Sequence, residues 1–196
     1  MSKYYMFECY MPIDWDDMAL LKSQYFKNIK SWRDDTDSWR LGRRFVSELP
    51  DPIILKIRPG YPNELKEMYN TDAIVMTVRL LKALQEAGVD NLDVYPAIIK
   101  NEGTGFETNN YVAVNLIGLV SAVDFENSNV VGGDGEPFLD TDFDGVSIDP
   151  EKAKDHLMFR LAENTSAIVI HHSVKEHLEK NGFDMLTFVD PSNWIG

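Results

Sequence analysis

The sequence predicts an α+β fold with a mixed, largely antiparallel sheet, a few amphipathic helices and an internally repeated strand-helix-strand unit. Three observations support this: strand-like segments outnumber helical ones, they arrive in clusters, and one strand-helix-strand pattern occurs twice. A chain of this length buries roughly 70% of its unfolded surface, so its core needs no metal or disulfide. We expect one continuous domain over residues 1–196, in which a strand and helix segment at 1–71 packs on a core at 72–196.

The first 71 residues predict three strands and one less regular stretch. Residues 3–11 have the composition of a strand, whereas the apolar spacings in 15–32 suit a helix or an irregular packed segment. Two further strands are predicted at 43–49 and 53–57, on either side of Pro-Asp-Pro. Alternation along the first strand places Cys9 on a buried face, where it serves as a small hydrophobic residue.

The repeated unit occupies residues 72–96 and 166–190. Thr77 and His171 stand where each helix should begin, and a shared glycine stands where each should end in a left-handed turn. The identical pairs are Ala73 and Ala167, Ile74 and Ile168, Val75 and Val169, Leu84 and Leu178, Gly88 and Gly182, Asp90 and Asp184, and Leu92 and Leu186. A right-handed crossover would allow the two strands of each unit to pair in parallel. The repeat predicts a duplicated framework, because the shared positions are structural and the reactive residue types differ.

The remaining elements follow from periodicity. A helix is predicted at 78–87, with an apolar stripe that needs a sheet to cover it. Strands are predicted at 93–99 and 111–123, with a turn-rich connection at 101–110 between them. Residues 127–145 have no periodic signal and predict a long loop.

The C-terminal part is predicted to close the fold. From Glu151 a short helical turn should lead into a strand at 156–161. The second repeated unit follows, after which Trp194 and Ile195 should pack back on the core.

Composition excludes several classes of protein. No apolar run approaches the roughly 18 to 20 residues that a membrane-spanning helix needs, and the first residues lack the pattern of a signal peptide. Cys9 is the single cysteine, which excludes a disulfide framework and a thiolate metal cage. We expect a cytoplasmic protein that has no cofactor, binds no membrane and binds no nucleic acid.

The net charge of −13 lies entirely in the C-terminal two thirds of the chain. Residues 1–71 hold 11 basic and 11 acidic side chains, whereas residues 72–196 hold 8 basic and 21 acidic ones. No Lys or Arg lies between Lys100 and Lys152. A field of this sign repels nucleic acid and attracts basic partners. The alternative is a solvated face that only keeps the protein soluble.

Residues 140–151, DTDFDGVSIDPE, match the spacing of an EF-hand calcium loop. In this interpretation three aspartates supply the first oxygen ligands, Gly145 makes the sharp turn and Glu151 is the bidentate ligand. The preceding residues cannot form the entering helix, and Ser147 and Pro150 depart from the pattern. Because the spacing nevertheless fits, a calcium-binding regulatory domain that uses residues 140–151 is the alternative function.

No motif indicates catalysis. His172 and His177 are not separated by the four residues that a zinc-binding helix requires, and the same is true of His171 and His177. A glycine-rich phosphate loop, a nucleophile elbow and a dinucleotide fingerprint are all missing from the sequence. We expect neither catalytic residues nor a resident metal, and the enzymatic hypothesis that remains is a hydrolase using the acidic cluster.

The segments YVAVNLIGLVSAVDFENS and HLMFRLAENTSAIVIHHSVKEHLEKNGFD, together with the repeat, resemble the eleventh family of bacterial immunity proteins. This family belongs to polymorphic-toxin and type VI secretion systems. Asn115, Asp124 and Ser128 match one block of the family, and the Phe-Arg-Leu at 159–161 matches another. The resemblance covers roughly residues 72–190.

The resemblance implies a protein that binds a cognate toxin and neutralises it by occlusion. Electrostatic complementarity would speed association, so the toxin is expected to be basic. The oligomeric state stays open. The expected docking charges are Asp134, Glu136, Asp140, Asp142, Asp144, Asp149 and Glu151.

Overall fold

The computed structural model describes residues 3–9, 17–22, 29–30, 37–70, 73–132, 141–154 and 156–196. Their strands are β1 (Tyr4–Cys9), β2 (Ile29–Lys30), β3 (Asp37–Ser38), β4 (Ile53–Lys56), β5 (Met68–Asn70), β6 (Ile74–Thr77), β7 (Leu92–Asn101), β8 (Phe106–Leu116), β9 (Leu119–Val120), β10 (Val130–Gly132), β11 (Asp142–Phe143), β12 (Met158–Leu161), β13 (Ile168–His171) and β14 (Leu186–Val189). Their helices are α1 (Val78–Glu86), α2 (Pro150–Ala153) and α3 (His172–Lys180), with a 3-10 turn at Pro191–Asn193. The predicted α+β class is confirmed.

Two sheets form the framework of the described residues. The first sheet has the order β4-β7-β8-β6-β5 and the second has the order β14-β1-β13-β12-β9. Pairing is mostly antiparallel, with parallel pairs between β4 and β7 and between β9 and β12. Each sheet is therefore mixed, as predicted, but the strands are divided between two sheets.

Each copy of the repeat forms a strand, a helix and a strand, as predicted. The helices begin at Thr77 and His171, whose side chains accept hydrogen bonds from the backbone N–H of Leu80 and Ser173 respectively. Gly88 and Gly182 follow the helices with φ of +94° and +67°, the left-handed conformation that glycine tolerates best.

The direct parallel pairing that a crossover would allow within each copy does not occur. In the first sheet β8 lies between β6 and β7 and is antiparallel to both. In the second sheet β1 lies between β13 and β14 in the same manner. The two strands of each copy are therefore parallel but separated by a third strand, at a distance of roughly 10 Å, which is about the diameter of the helix that connects them.

The main hydrophobic cluster lies between the two sheets and is completed by the two repeated helices. Leu80 and Leu84 of α1 and Val174 and Leu178 of α3 are fully buried in it. Separate clusters cover the opposite face of each sheet. The cluster on the first sheet includes Trp39, Ile53, Leu55, Tyr69, Val75, Ile99 and Tyr111. The cluster on the second sheet includes Tyr4, Met6, Phe143, Val146, Phe159, Leu161, Val169 and Trp194.

Two predicted strands differ from the structure. Residues 43–49 form no strand, because their backbone groups bind side chains instead of a neighbouring strand. The Asp37 carboxylate accepts from the N–H of Val46 at 2.7 Å and of Ser47 at 2.6 Å, and the Asn115 amide donates to the Arg43 carbonyl at 2.8 Å. The strand predicted at 111–123 ends at Leu116.

The chain passes from the first sheet to the second at Gly118. This residue has φ of +124°, and β9 directly after it pairs with β12 of the second sheet. The turn before β8 is also shorter than predicted, since β7 and β8 pair as far as Asn101 and Phe106. The segment predicted at 15–32 falls largely outside the described residues; within it, Leu21 bridges Ile57 and residues 17–22 form no regular helix.

Candidate partner-binding site

The acidic part of the chain covers the outer face of the second sheet. Residues 122–132, 141–153 and 190–196 pack together there, and we call them the acidic module. Phe143, Val146, Ala153 and Trp194 are the buried side chains that fix the module to the sheet. The predicted loop at 127–145 thus has a defined backbone on both sides of residues 133–140, which lie outside the described residues.

Backbone hydrogen bonds hold β11 between two neighbours in the module. On one side β11 pairs with β10, with Val130 opposite Phe143 and Gly132 opposite Asp142. On the other side the Phe143 N–H donates to the Gly196 carbonyl at 2.6 Å, and the Gly196 N–H donates to the Phe143 carbonyl at 3.1 Å. Such reciprocal pairing gives the exposed side chains of these residues fixed positions.

A buried polar cluster holds Thr141, the residue directly before β11. Glu163 is fully buried, and its carboxylate accepts from the Ser121 hydroxyl at 2.6 Å and from the Val123 N–H at 3.4 Å. The Thr141 N–H donates to the Glu163 carbonyl at 2.9 Å, and the Asn164 amide donates to the Thr141 carbonyl at 3.1 Å. The cluster connects the module to the turn between β12 and β13.

The family-block residues Asp124 and Ser128 also have structural roles. The Ser128 hydroxyl donates to the Asp124 carbonyl at 2.7 Å and accepts from the Ser147 N–H at 2.8 Å. A hydrogen bond from the Asn127 side chain lowers the pKa of Asp124; burial opposes this and the Glu126 N–H adds to it. Asp124 therefore stays ionised and closes a tight turn next to β10.

Of the seven predicted docking residues, the structure describes four. Asp142 and Asp144 are exposed, stand on one face of β11 and its continuation, and form no salt bridge with another described residue. Glu151 is exposed in the first turn of α2. The other three, Asp134, Glu136 and Asp140, lie outside the described residues.

Asp149 has a structural role that spacing alone does not reveal. It is half-buried and caps α2, accepting from the N–H of Glu151 at 2.9 Å and of Lys152 at 3.4 Å. The Lys152 ammonium lies 3.9 Å from the same carboxylate and donates to the Val123 carbonyl at 2.9 Å. Its charge is partly compensated, so Asp149 contributes less to the field of the module than Asp142 or Asp144.

The described residues give no support to the calcium-loop interpretation. Asp142 and Phe143 form a strand where an EF-hand loop begins to wrap around the ion. Within the ranges that the structure describes, no group of three or more His, Cys, Asp or Glu side chains is placed to hold a metal ion.

Sequence reasoning missed the apolar side chains of the module. Phe125, Val130, Val131 and Ile195 are all exposed, and Phe125 stands directly between two acidic residues in the chain. The prediction that Ile195 packs back on the fold is wrong: Trp194 is buried, and Ile195 next to it points the other way with 75% of its surface exposed. Apolar residues interrupting a non-periodic acidic segment were the available signal.

A cleft of about 400 Å³ opens beside the module, where the edges of the two sheets meet. β1 pairs with β13 only as far as Met6, so its later residues diverge from β13 and leave a gap towards β5. The gap is lined by apolar and polar side chains, among them Phe7, Cys9, Lys66, Met68, Ile168 and Ile195. Burial is the main cause that raises the pKa of the Cys9 thiol, so this group stays protonated near neutral pH.

The Phe-Arg-Leu block places a charge inside the protein. Arg160 is fully buried, and its Nη1 donates to the Thr165 carbonyl at 2.8 Å, while Nε and Nη2 have no hydrogen-bond partner among the described residues. Burial, with a smaller contribution from Arg40, lowers the pKa of Arg160, but a guanidinium remains charged near neutral pH. This side chain is out of reach of a partner and is part of the scaffold.

None of the helices in the described ranges combines the length and apolar character that crossing a bilayer requires. Among curated proteins, no sequence matches the chain significantly. The sequence model of the immunity protein family (Imm11) matches residues 3–193, so the similarity also includes the first 70 residues, beyond the roughly 72–190 that the motifs indicated. The chain therefore belongs to the immunity protein family Imm11.

Proposed function

We propose that this protein binds a cognate bacterial toxin and neutralises it by covering the toxin's functional surface. Membership of the immunity protein family supports toxin binding in general. The observation that carries the choice of surface is the pair Asp142 and Asp144, two exposed carboxylates on a hydrogen-bonded frame without compensating cations among the described residues.

The charge distribution supports a basic toxin. Residues 101–151 contain no Lys or Arg, and six of the eight described acids of this stretch lie in the module. The other two, Glu102 and Glu107, lie near the turn between β7 and β8 and pair with Lys56 and Lys100. A patch of one sign speeds association with an oppositely charged partner by roughly 10-fold to 1,000-fold, and the effect falls steeply with ionic strength. We infer that Asp134, Glu136 and Asp140 in the same stretch add to this field, while Asp149 mainly caps α2.

The proposed place of action is the cytoplasm, where an intracellular toxin of a polymorphic-toxin or type VI system would act. No cofactor and no catalytic group take part in this mechanism, because occlusion needs only a complementary surface. We propose that residues 1–196 form one continuous domain. β1 lies inside the second sheet, and β5 contributes to the main hydrophobic cluster between the sheets.

The first test uses the protein encoded by the neighbouring open reading frame. Its expression should stop growth, and co-expression of this chain should restore growth and give a complex that co-purifies. Without both results the proposed function is wrong.

The second test measures association rates with that toxin across a salt series. Changing Asp142→Lys and Asp144→Lys together should slow association by about 10-fold at low salt and flatten its salt dependence. The matched control changes Asp90→Lys and Asp184→Lys, which are exposed, equivalent positions of the two repeated units and alter the net charge equally. Equal slowing by both pairs would show that only net charge matters and would remove the acidic module from the interface.

A further inference from the structure

The acidic module also carries most of the exposed large apolar side chains of the described residues. They are Phe125 at 43%, Val130 at 47%, Val131 at 60% and Ile195 at 75% exposed. Only two others in the described ranges, Val46 and Val94, belong to the same class, and both lie elsewhere. Single exposed apolar residues are ordinary, but a group of them on one frame marks an interaction surface.

Three of these side chains stand on the two segments that flank β11, Val130 and Val131 on β10 and Ile195 on residues 194–196. Val131 is the extra residue of a bulge in β10, between the pairs Val130–Phe143 and Gly132–Asp142. Ile195 is bridged to Asp144 on the opposite side of β11. Neighbouring strands lie roughly 4.8 Å apart. The backbones of Val131 and Ile195 are therefore about 10 Å apart across β11, with Asp142 and Asp144 on the segment between them.

The exposure of Ile195 is enforced by its backbone. The Gly145 N–H donates to the Trp194 carbonyl at 2.8 Å, and Phe143 and Gly196 exchange two hydrogen bonds on the other side of Ile195. Trp194 is buried and its indole N–H donates to the Glu8 carboxylate at 2.8 Å, which fixes the direction of the next side chain. An apolar side chain held in this way loses little conformational freedom when a partner covers it.

Ile195 also connects the module to the cleft between the sheets. It lines the opening of this cleft of about 400 Å³, in which Met6, Met68 and Ile168 supply apolar walls. The apolar surface therefore continues from a raised frame into a concavity. Residues that dominate binding energy usually occupy such places, where a partner's side chain becomes fully desolvated.

We infer that Val131 and Ile195 form the energetic centre of the toxin interface, and that the toxin presents an apolar side chain flanked by basic ones. This inference rests on the proposed function. Asp142 and Asp144 guide the basic toxin to the module, and the apolar pair determines how long the complex lasts. An interface of this kind separates the two roles, because charges act mainly on the association rate and buried apolar contacts on the dissociation rate.

The experiment measures both rate constants for the toxin from the neighbouring open reading frame bound to variants of this chain. Val131→Ser and Ile195→Ser should each dissociate roughly 10-fold to 100-fold faster, with association rates within about twofold of the unmodified protein. Ile195→Met should keep slow dissociation, because it preserves apolar volume. The matched control is Val46→Ser, which changes an equally apolar side chain that is 94% exposed outside the module.

Thermal melting of each variant excludes loss of folding as the cause of faster dissociation. As a second measurement, bound toxin should slow hydrogen exchange at residues 142–146 and 194–196. Unchanged dissociation of both serine variants, while the unmodified protein still binds the toxin, would overturn the inference and leave the proposed function standing. No binding by the unmodified protein would overturn both.

A second copy of the chain is the competing occupant of this face. Sedimentation of the unmodified protein and of Ile195→Ser decides between the two. A monomer in both cases is the expected result. A dimer that Ile195→Ser converts into a monomer would assign the face to self-association and overturn the inference.

Discussion

The guanidinium carbon of Arg79 lies 4.0 Å from the centre of the Phe183 ring, and this contact joins the two copies of the repeat. Arg79 belongs to α1, whereas Phe183 follows α3. The same guanidinium donates to the carbonyls of Asn181 at 2.7 Å and Gly182 at 2.9 Å, where α3 ends. One side chain thus caps the helix of the other copy and stacks on its next residue.

We predict that Arg79→Ala lowers the free energy of unfolding by about 1–2 kcal/mol. Half of the side chain is exposed, which keeps the effect below that of a buried group. Arg79→Lys should recover little of the loss, because an ammonium cannot stack and donate to two carbonyls together. Urea unfolding of both variants checks this, with Lys82→Ala on the exposed face of α1 as control. Stability equal to the unmodified protein in Arg79→Lys would contradict the prediction.

Gly145 is a position of the acidic module at which an added side chain would meet the backbone of another segment. Its φ is +92°, and an added Cβ would lie 2.8 Å from the Ser192 carbonyl oxygen. We expect Gly145→Ala to lower the free energy of unfolding by roughly 2–4 kcal/mol. The alanine must keep a strained positive φ, and the backbone at residue 145 or at Ser192 must also move to relieve the contact. Gly105→Ala is the matched control: φ is +74° and nothing lies within 4 Å of its added Cβ. It should lose only about 1 kcal/mol. Equal losses would argue against close packing at Ser192.

We predict that replacing the buried Arg160 by an apolar residue raises the free energy of unfolding. Two of its nitrogens are buried without a partner in the part of the chain that the structure describes, so the folded state retains a desolvated cation. Arg160→Met keeps much of the volume and should raise the free energy of unfolding by about 1–3 kcal/mol. Guanidinium chloride unfolding measures this. A loss of stability would show that the single hydrogen bond to Thr165 outweighs the desolvation of the guanidinium.

The pKa of Cys9 predicts slow thiol chemistry with a defined pH dependence. Burial raises this pKa above the ordinary value of 9.0, although the Met68 N–H and the Lys66 charge act in the opposite direction. Alkylation by iodoacetamide at pH 8 should therefore be slower than that of a cysteine in a short peptide, and should increase only above pH 9.

The raised pKa of Cys9 also makes the free energy of unfolding depend on pH. The protonated thiol is favoured in the folded state, so its contribution is fully present below pH 9.0 and is lost as the pH rises through the higher folded value. Cys9→Ala removes this pH dependence and is the control. Peptide-like reactivity of Cys9 at pH 8 would contradict its partial burial.

Local patterns were sufficient where sequence neighbours determine the structure. Thr77, Gly88 and their counterparts mark helix ends by chemistry that acts within a few residues, and these predictions are confirmed. Residues 43–49 have strand composition, but the distant side chains of Asp37 and Asn115 bind their backbone. That arrangement depends on tertiary structure, which local composition does not contain.

The candidate site shows the same division. Charge counting identified the stretch that holds Asp142 and Asp144. It could not separate these from Asp149, whose role as a helix cap depends on the path of the backbone. It also gave the wrong direction for Ile195, because the bridge to Asp144 decides which way that side chain points.

The inserted strands of the two units reach their places at very different times during synthesis. β8 follows β6 and β7 directly, so the first sheet can assemble while the ribosome is still at work. β1 must wait for residues 168–171 and 186–189 before it has either partner in the second sheet. A nascent chain thus gains this sheet, and with it the support of the acidic module, only after residues 186–189 have been made. A chain interrupted before residue 186 would therefore have the strands of the first sheet but an incomplete second sheet.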